Sequence, residues 1–303
     1  MTVPPLFSVI VPSYGRHQAL ARCLQGLANQ NLPPAQYEVI VVDDGSLQPV
    51  TIPPAMRVTL IRQQNRGPAA ARNTGAKAAQ GAWLVFTDDD CVPEPDWLAK
   101  LAEAAVHFPH DLLGGRVVNA LFGNTYAAAS QLLIDYLYGV FGVAAAGSRL
   151  LSDVSLPVQP FFTSNNLAVR REAFWQMGGF AAEMRLAAGE DRELCWRWQQ
   201  GGGRLTAVPG AVVYHYHALT LRLFWRQHFT YGRGAWDFHR RRGGAASPAG
   251  WGFYYKMLAY PWKVKEKRPL YLSTLLCLSQ IANASGYFWQ KWRQSRERLE
   301  IGD

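Results

Sequence analysis

The chain has 303 residues, of which 49% are hydrophobic and 17% are charged, and its formal net charge is +9. This apolar share is enough to bury a substantial core, so the composition excludes a globally disordered protein and fits one large or two small domains. Four widely spread cysteines without a CxxC pair exclude a zinc knuckle and a dense disulfide framework, and they fit a reducing compartment.

Strand-like and helix-like segments alternate over the first 106 residues. Short β-branched runs that end in polar or turn residues are typical of buried parallel strands. An Ala-rich helix between the third and fourth run opens at Gly67 and closes at Gly81, both suitable terminal residues. This order predicts an α/β fold with a mainly parallel, Rossmann-like central sheet flanked by helices. The four runs are residues 7–12, 37–46, 57–62 and 83–86.

The second part of the chain is less regular, with a strand-like run at 112–118, a helix at 125–143 and a strand at 204–217. A second half built around the end of the same sheet fits this order. We therefore predict one domain over residues 1–243, with a nucleotide-binding half at about 1–118 and an acceptor half at about 119–243. The hinge-like segment Arg240 to Gly250 separates it from a helical, basic and aromatic C-terminal extension at 244–303.

The basic excess belongs to the C-terminal third, since residues 201–303 carry 16 Lys and Arg against 5 Asp and Glu. Residues 269–289 are uncharged over about the length of a membrane span, but their polar residues argue against crossing. Two interpretations stay open: a helix packed on the main domain, or attachment to an anionic membrane surface through basic and aromatic side chains. The N-terminus lacks a basic n-region, so we expect a cytoplasmic protein, or one peripheral on the inner face of the cytoplasmic membrane.

Three consecutive carboxylates, Asp88, Asp89 and Asp90, follow the fourth strand with no Lys or Arg beside them. One interpretation is an acidic turn that caps the next helix. The other is a divalent-metal site at the carboxyl end of a strand, where open α/β sheets bind ligands. Polar groups also follow the first and second strands, so this edge of the sheet predicts a pocket for a nucleoside diphosphate and a divalent ion.

Five segments in order resemble the motifs of inverting glycosyltransferase family 2, which has the GT-A fold: VIVPSYGR, VIVVDDGS, GPAAARNTGAKAAQGAWLVFTDDDCVP, SNNLAVRREAFWQMGGF and GEDRELCWRWQQGG. The resemblance covers about residues 7–240. It implies transfer of a sugar from a nucleoside diphosphate donor, with uridine favoured, to an acceptor hydroxyl with inversion. The acceptor would be a glycan or a lipid-linked molecule, in cell-surface polysaccharide or glycolipid synthesis.

The resemblance also assigns roles. Asp43 or Asp44 matches the position that contacts uracil, Asp88 and Asp90 match the ends of the DxD motif, and Asp191 matches the general base. Asp90, Asp88 and His215 are the expected ligands of Mn2+ or Mg2+. The expected donor-binding residues are Pro12, Ser13, Tyr14, Arg16, Asp43, Asp44, Arg66, Arg72, Asp88 and Asp89, and those on the acceptor or phosphate side are Asn165, Asn166, Glu190, Arg226 and Arg233.

Two other functions compete with this interpretation. A non-catalytic protein could keep the sugar-nucleotide pocket at a membrane surface, but Asp88, Asp90 and Asp191 are intact. A nucleotidyltransferase would carry a longer Gly-rich, basic loop after the first strand than PSYGR. No nucleic-acid partner is expected, and the single weak apolar segment argues against processive polymer extrusion.

Overall fold

The computed structural model of the chain describes residues 4–52, 57–140, 160–186, 188–244 and 249–301. The strands are β1 (Phe7–Ser13), β2 (Tyr37–Asp43), β3 (Val58–Arg62), β4 (Trp83–Phe86), β5 (Cys91–Pro93), β6 (Leu112–Asn119), β7 (Leu167–Arg170) and β8 (Leu205–His215). The helices are α1 (His17–Ala28), α2 (Pro68–Ala78), α3 (Trp97–His107), α4 (Thr125–Val140), α5 (Arg171–Gln176), α6 (Glu190–Gln200), α7 (Leu221–Arg241), α8 (Trp251–Lys263) and α9 (Pro269–Ile301).

The described strands form one mixed sheet in the order β3-β2-β1-β4-β7-β6-β8-β5. The first four strands are parallel, as the alternation of strands and helices predicts. β7 runs antiparallel to β4 and to β6, and β8 pairs in parallel with β6. The sheet therefore continues from the predicted nucleotide-binding half into the acceptor half.

Helices cover both faces of this sheet because its central strands are apolar on both sides. In β1, Val9 and Val11 point into a core layer with α1 and α3, whereas Ile10 points into the opposite layer with α2, α5 and α6. All seven residues of β1 are buried. This three-layer arrangement fixes the carboxyl ends of β1, β2 and β4 at one edge.

The C-terminal extension packs on the main domain through α9, which crosses α7. Leu272 and Leu275 of α9 share an apolar cluster with Leu219, Phe224 of α7 and Leu132 of α4. This packing agrees with the first of the two interpretations of the extension. The predicted hinge lies partly outside the described residues, which omit 245–248. In the described part of the chain, no helix is long and apolar enough to cross a bilayer.

The crossing of α7 and α9 depends on two glycines that allow the helix backbones to touch. A Cβ atom on Gly232 would overlap the Asn283 carbonyl oxygen, and one on Gly286 would overlap the Phe229 carbonyl oxygen. Both obstacles are backbone atoms, which cannot rotate away. The helices must separate if either glycine gains a side chain.

Gly286→Ala is therefore expected to destabilise the extension by about 1–3 kcal/mol, the usual cost of overpacking. The matched control is Gly252→Ala in α8, where no atom lies within 4 Å of the added Cβ. Urea unfolding and limited proteolysis between α7 and α8 measure the effect. Equal stability of the two variants would contradict the close crossing.

Candidate active site

A cleft of about 1240 Å³ opens at the carboxyl edge of the sheet and extends between α4, α6, α7 and α8. Its charged and titratable lining comes from segments far apart in sequence. Arg16 follows β1, Asp88 and Asp90 follow β4, and Asp191 lies in the first turn of α6. The sequence-predicted metal and base residues therefore share one cleft.

The three aspartates after β4 have different surroundings. The Asp88 side chain is 26% exposed and faces the cleft, whereas that of Asp89 is fully buried. Asp89 accepts a hydrogen bond from the Ser13 hydroxyl at 2.8 Å and pairs with Arg16 at 3.0 Å. Burial raises the pKa of Asp89 to about 7. Asp89 and Ser13 bond to each other and do not line the cleft, and their contact with the sugar nucleotide stays a prediction.

Asp90 and His215 line the end of the cleft that carries the acidic triplet. β5 pairs with β8 so that Cys91 lies opposite His215, and the His215 Nε2 atom is 3.4 Å from an Asp90 carboxylate oxygen. Arg16 also donates to Asp90. Burial would raise the pKa of Asp90, but His215 and Arg16 outweigh it and hold this pKa below its ordinary value.

Ligand atoms of Asp90, Cys91 and His215 lie within 4.8 Å of one another. Burial raises the pKa of the Cys91 thiol well above its ordinary value. A thiol is also a poor match for Mg2+ and Mn2+, which prefer oxygen ligands. Carboxylate oxygens and an imidazole nitrogen suit Mn2+, and the oxygens also suit Mg2+. These ligand atoms therefore fit a divalent ion held by Asp90 and His215, and Asp88 lines the same cleft.

Arg72 of α2 bridges the acidic triplet and α6. Its guanidinium donates to Asp88 at 2.7 Å and to Glu190 at 3.0 Å, and it is almost completely buried. Burial and the neighbouring Asp191 raise the pKa of Glu190 to about 7. The second Glu190 carboxyl oxygen accepts no hydrogen bond from the described residues. Arg72 therefore links Asp88 of the acidic triplet to Glu190 at the start of α6.

Asp191 is positioned by a turn that only glycine enters easily. Gly189 precedes α6 with φ of +89°, and a Cβ there would lie 2.9 Å from the Gly234 carbonyl oxygen. Asp191 accepts a hydrogen bond from the backbone N–H of Arg192 at 2.7 Å. Burial raises the pKa of Asp191 above its ordinary value. The carboxylate lines the cleft and is a candidate proton acceptor.

The two aspartates after β2 hold loops in this structure. Asp43 accepts a hydrogen bond from the Ser46 backbone N–H at 2.9 Å. Asp44 accepts hydrogen bonds from the backbone N–H groups of Arg66 and Gly67 at 3.0 and 2.9 Å. Both side chains are buried and neither lines the cleft. A contact of Asp43 or Asp44 with the nucleoside stays a prediction.

Three other predicted residues have partners or positions outside the cleft, and their contact with a ligand stays a prediction. Asn166 donates to the carbonyl oxygens of Arg116 and Ala211 and accepts from Trp97, so its buried amide has no atom left for an acceptor. The Arg233 guanidinium bonds to Gln290 and stacks on Trp289, both in α9. Arg66 lines a separate pocket of about 410 Å³ near α5.

Other predicted residues lie where a ligand could meet them. Pro12 is buried in β1, but Tyr14 just after it is 53% exposed. Asn165 and Arg226 line the cleft, and the Asn165 side-chain oxygen accepts no hydrogen bond from the described residues. Among the cleft residues, Tyr231 is one that sequence reasoning missed. Its spacing of four residues from Gln227, and eight from Leu223, marks one face of α7 and could have indicated it.

Solved structures with a similar backbone include sugar-nucleotide complexes. A mannosyltransferase from Pyrobaculum calidifontis, solved with GDP-Man and Mn2+, superposes with a TM-score of 0.62 at 20% identity over 96% of this chain and 89% of that one. S. aureus TarS in complex with UDP-GlcNAc superposes with a TM-score of 0.53 at 18% identity, over 98% and 92% of the two chains. These similarities establish the GT-A fold.

Sequence comparison gives the family. A pre-mycofactocin glycosyltransferase of Mycobacterium tuberculosis is 30% identical over 71% of this chain and 43% of its own length. A chondroitin synthase of Escherichia coli is 26% identical over 69% of this chain and 34% of its own. The matched region thus spans less than half of these relatives. The model of "Glycosyl transferase family 2" matches residues 8–178, more than half of the chain, which therefore belongs to this family.

Proposed function

We propose that the protein is an inverting glycosyltransferase that moves a sugar from a nucleoside diphosphate to an acceptor hydroxyl. The observation that carries this proposal is the shared cleft, with Asp88, Asp90 and His215 at one end and Asp191 on α6. A single displacement with inversion needs a base on the side of the anomeric carbon opposite the leaving diphosphate. The cleft supports this mechanism because it is lined by Asp88 and Asp90 after β4 and, on another segment, by Asp191.

The donor end of the cleft would receive the diphosphate. Asp90 and His215, with Asp88, would hold a divalent ion, which when bound supplies positive charge to the departing diphosphate. Arg16 is half-exposed and pairs with Asp90, and it would turn toward a phosphate oxygen when the donor binds. Arg226 lines the same cleft and adds a further positive charge.

Asp191 would take the proton from the attacking hydroxyl as the oxygen bonds to the anomeric carbon. Arg72 would act as a positioning residue, because it holds Asp88 and Glu190 at a fixed separation. Asn165 has a free carbonyl oxygen in the cleft and could accept a hydrogen bond from a sugar hydroxyl.

The finer assignments extend this proposal. We favour a uridine nucleotide, supported by the resemblance of the segment around Asp43 and by the UDP-GlcNAc complex of TarS. We place the acceptor among glycans and lipid-linked molecules of cell-surface polysaccharide or glycolipid synthesis. We place the protein at the inner face of the cytoplasmic membrane, supported by its basic C-terminal extension.

A screen of UDP-linked and GDP-linked sugars with Mn2+, read by thermal shift and calorimetry, would test the proposal. The expected result is one preferred donor with binding that requires Mn2+. NMR of the transferred sugar should then show the anomeric configuration opposite to that of the donor. Retention of configuration would refute the inverting mechanism.

Chelation tests the role of the acidic triplet. EDTA is expected to abolish transfer and weaken nucleotide binding, and added Mn2+ should restore both. Asp90→Asn should raise the Mn2+ concentration for half-maximal transfer by at least about tenfold, since even outer partners of metal ligands change affinity by this much. Glu103→Gln, which changes an exposed acid of α3, is the matched control, and no change is expected. Full activity in EDTA would rule out the metal.

A further inference from the structure

One end of the cleft is rich in apolar side chains, although the guanidinium groups of Arg192 and Arg242 lie on two of its Phe rings. Its walls come from α4, the segment before β7, the end of α7 and the start of α8. A volume of about 1240 Å³ for the whole cleft exceeds the usual range for a small-molecule site. The cleft therefore has room for an extended group beside a sugar, and the apolar side chains at this end suit an apolar group. The apolar lining residues are Leu133, Ile134, Leu137, Phe161, Phe238, Phe253 and Met257.

An exposed apolar surface adjoins the cleft near Leu219 and Leu223, which line it. Asn124 donates to the Leu219 carbonyl oxygen at 2.8 Å, which joins the turn after β6 to the start of α7. The Tyr126 ring lies 5.9 Å from that of Phe224, and Leu272 of α9 packs in the same cluster. These contacts bring three chain segments together. Their exposed apolar residues are Phe122, Leu221, Leu223, Trp262, Leu270 and Tyr271.

The same surface is strongly basic. Lys263 at the end of α8 and three residues of the turn before α9 are exposed and basic, beside one exposed acid, Glu266. Arg222 is exposed at the start of α7. We call these basic residues and the six apolar residues the entry face. The basic members are Arg222, Lys263, Lys265, Lys267 and Arg268.

Charge and side-chain type together indicate what this face meets. Basic side chains are attracted to anionic lipid headgroups, and Trp and Tyr rings favour the depth of the headgroups. A soluble partner protein would not account for an apolar cleft that opens beside the face. The described helices do not cross a bilayer, so contact through the entry face would be peripheral.

We propose that the entry face rests on an anionic bilayer and that the acceptor is an amphipathic, lipid-linked molecule. Its hydroxyl-bearing head group reaches Asp191, while its chain lies along the apolar wall. The acceptor part rests on the proposed glycosyltransferase function. The membrane part does not, so the two can fail separately.

Vesicle binding tests the membrane part without any catalytic step. The full chain is expected to sediment with vesicles of phosphatidylglycerol and phosphatidylcholine, and to stay in solution with phosphatidylcholine alone. Leu270→Glu combined with Lys267→Glu should weaken this binding at least about tenfold, since each basic residue contributes. The matched control is Val106→Glu with Lys100→Glu on α3, another exposed apolar and basic pair.

Three outcomes would overturn the membrane part: no binding to anionic vesicles, equal loss in both double variants, or binding that is the same without anionic lipid. Circular dichroism and urea unfolding must show that the variants fold. Because Leu270 is 72% exposed, its replacement should leave stability unchanged.

Paired acceptors test the acceptor part. A panel of octyl glycosides is expected to show KM values at least about tenfold below those of the matching methyl glycosides, because the added methylene groups are buried. Ile134→Ser in the apolar wall should raise the KM values of octyl glycosides more than those of methyl glycosides, so the difference between the two series should shrink. Equal KM values for the two series would overturn the amphipathic acceptor. Tight donor binding without transfer to any glycoside would instead count against the proposed function, with vesicle binding still decisive for the entry face.

Discussion

Asp191→Asn is expected to lower the transfer rate by about 10²–10⁴-fold, the range that positioned general bases contribute. The amide has the same shape and can still accept the hydrogen bond from the Arg192 backbone N–H, but it cannot take the proton of the attacking hydroxyl. Donor binding should be unchanged, because Asp191 is not among the residues proposed to hold the diphosphate and its ion. Single-turnover transfer and donor calorimetry measure the two quantities.

The pH dependence gives a second readout of the same residue. Because burial raises the pKa of Asp191, its carboxylate is protonated at a higher pH than an ordinary aspartate. Only the ionised form acts as a base, so the rate should fall as pH drops through this raised pKa. Glu172→Gln, an exposed acid in the first turn of α5, is the control. A full transfer rate in Asp191→Asn would show that another group is the base.

Arg72→Met is expected to lower the free energy of unfolding by about 3–5 kcal/mol, as the loss of one partner of a buried ion pair does. The side chain keeps its approximate length, but Glu190 loses its buried counter-ion and Asp88 loses a hydrogen bond at 2.7 Å. The transfer rate should also fall sharply, because Asp88 after β4 and Glu190 of α6 both lose the guanidinium group that positions them. Urea unfolding and transfer assays measure these losses.

A double-mutant cycle separates this interaction from general damage. Glu190→Gln removes the charge that Arg72 balances, so the two substitutions together should cost less than the sum of the single losses. Arg66→Met, an exposed arginine just before the same helix, should change stability by no more than about 0.5 kcal/mol. Strictly additive losses for Arg72 and Glu190 would mean that the bridge is not formed in solution.

Local patterns predict the first half of the fold well. The apolar runs at β1, β2 and β4 are buried on both faces, as is typical of strands in a sheet that helices cover on both sides. The helix after Gly67 begins at Pro68 as its end signals indicate. The short strand β5 was not predicted. Its three residues carry too little pattern, and it exists because β8 provides a partner edge.

The sequence identifies the acidic residues that line the candidate cleft, but it does not reveal the contacts among the side chains around them. A triplet of aspartates does not reveal which one is buried, because strand geometry and the Ser13 hydroxyl decide that Asp89 points away from the cleft. The link from Arg72 to Glu190 spans 118 residues and depends on the tertiary fold, which brings α2 near the start of α6. Asn166 likewise looked like a ligand contact, although Trp97 and two carbonyl groups engage it.

The close crossing at Gly232 and Gly286 limits how α9 can vary in length. One residue inserted between Pro269 and Gly286 would rotate the second half of the helix by about 100° and shift it by about 1.5 Å. The glycine would then leave the contact, and a bulkier neighbour would meet the Phe229 carbonyl group. Length changes in descendants of this sequence should therefore collect near the end of α9, after Gln294, whose amide still bonds to Trp236 and Asp237 of α7.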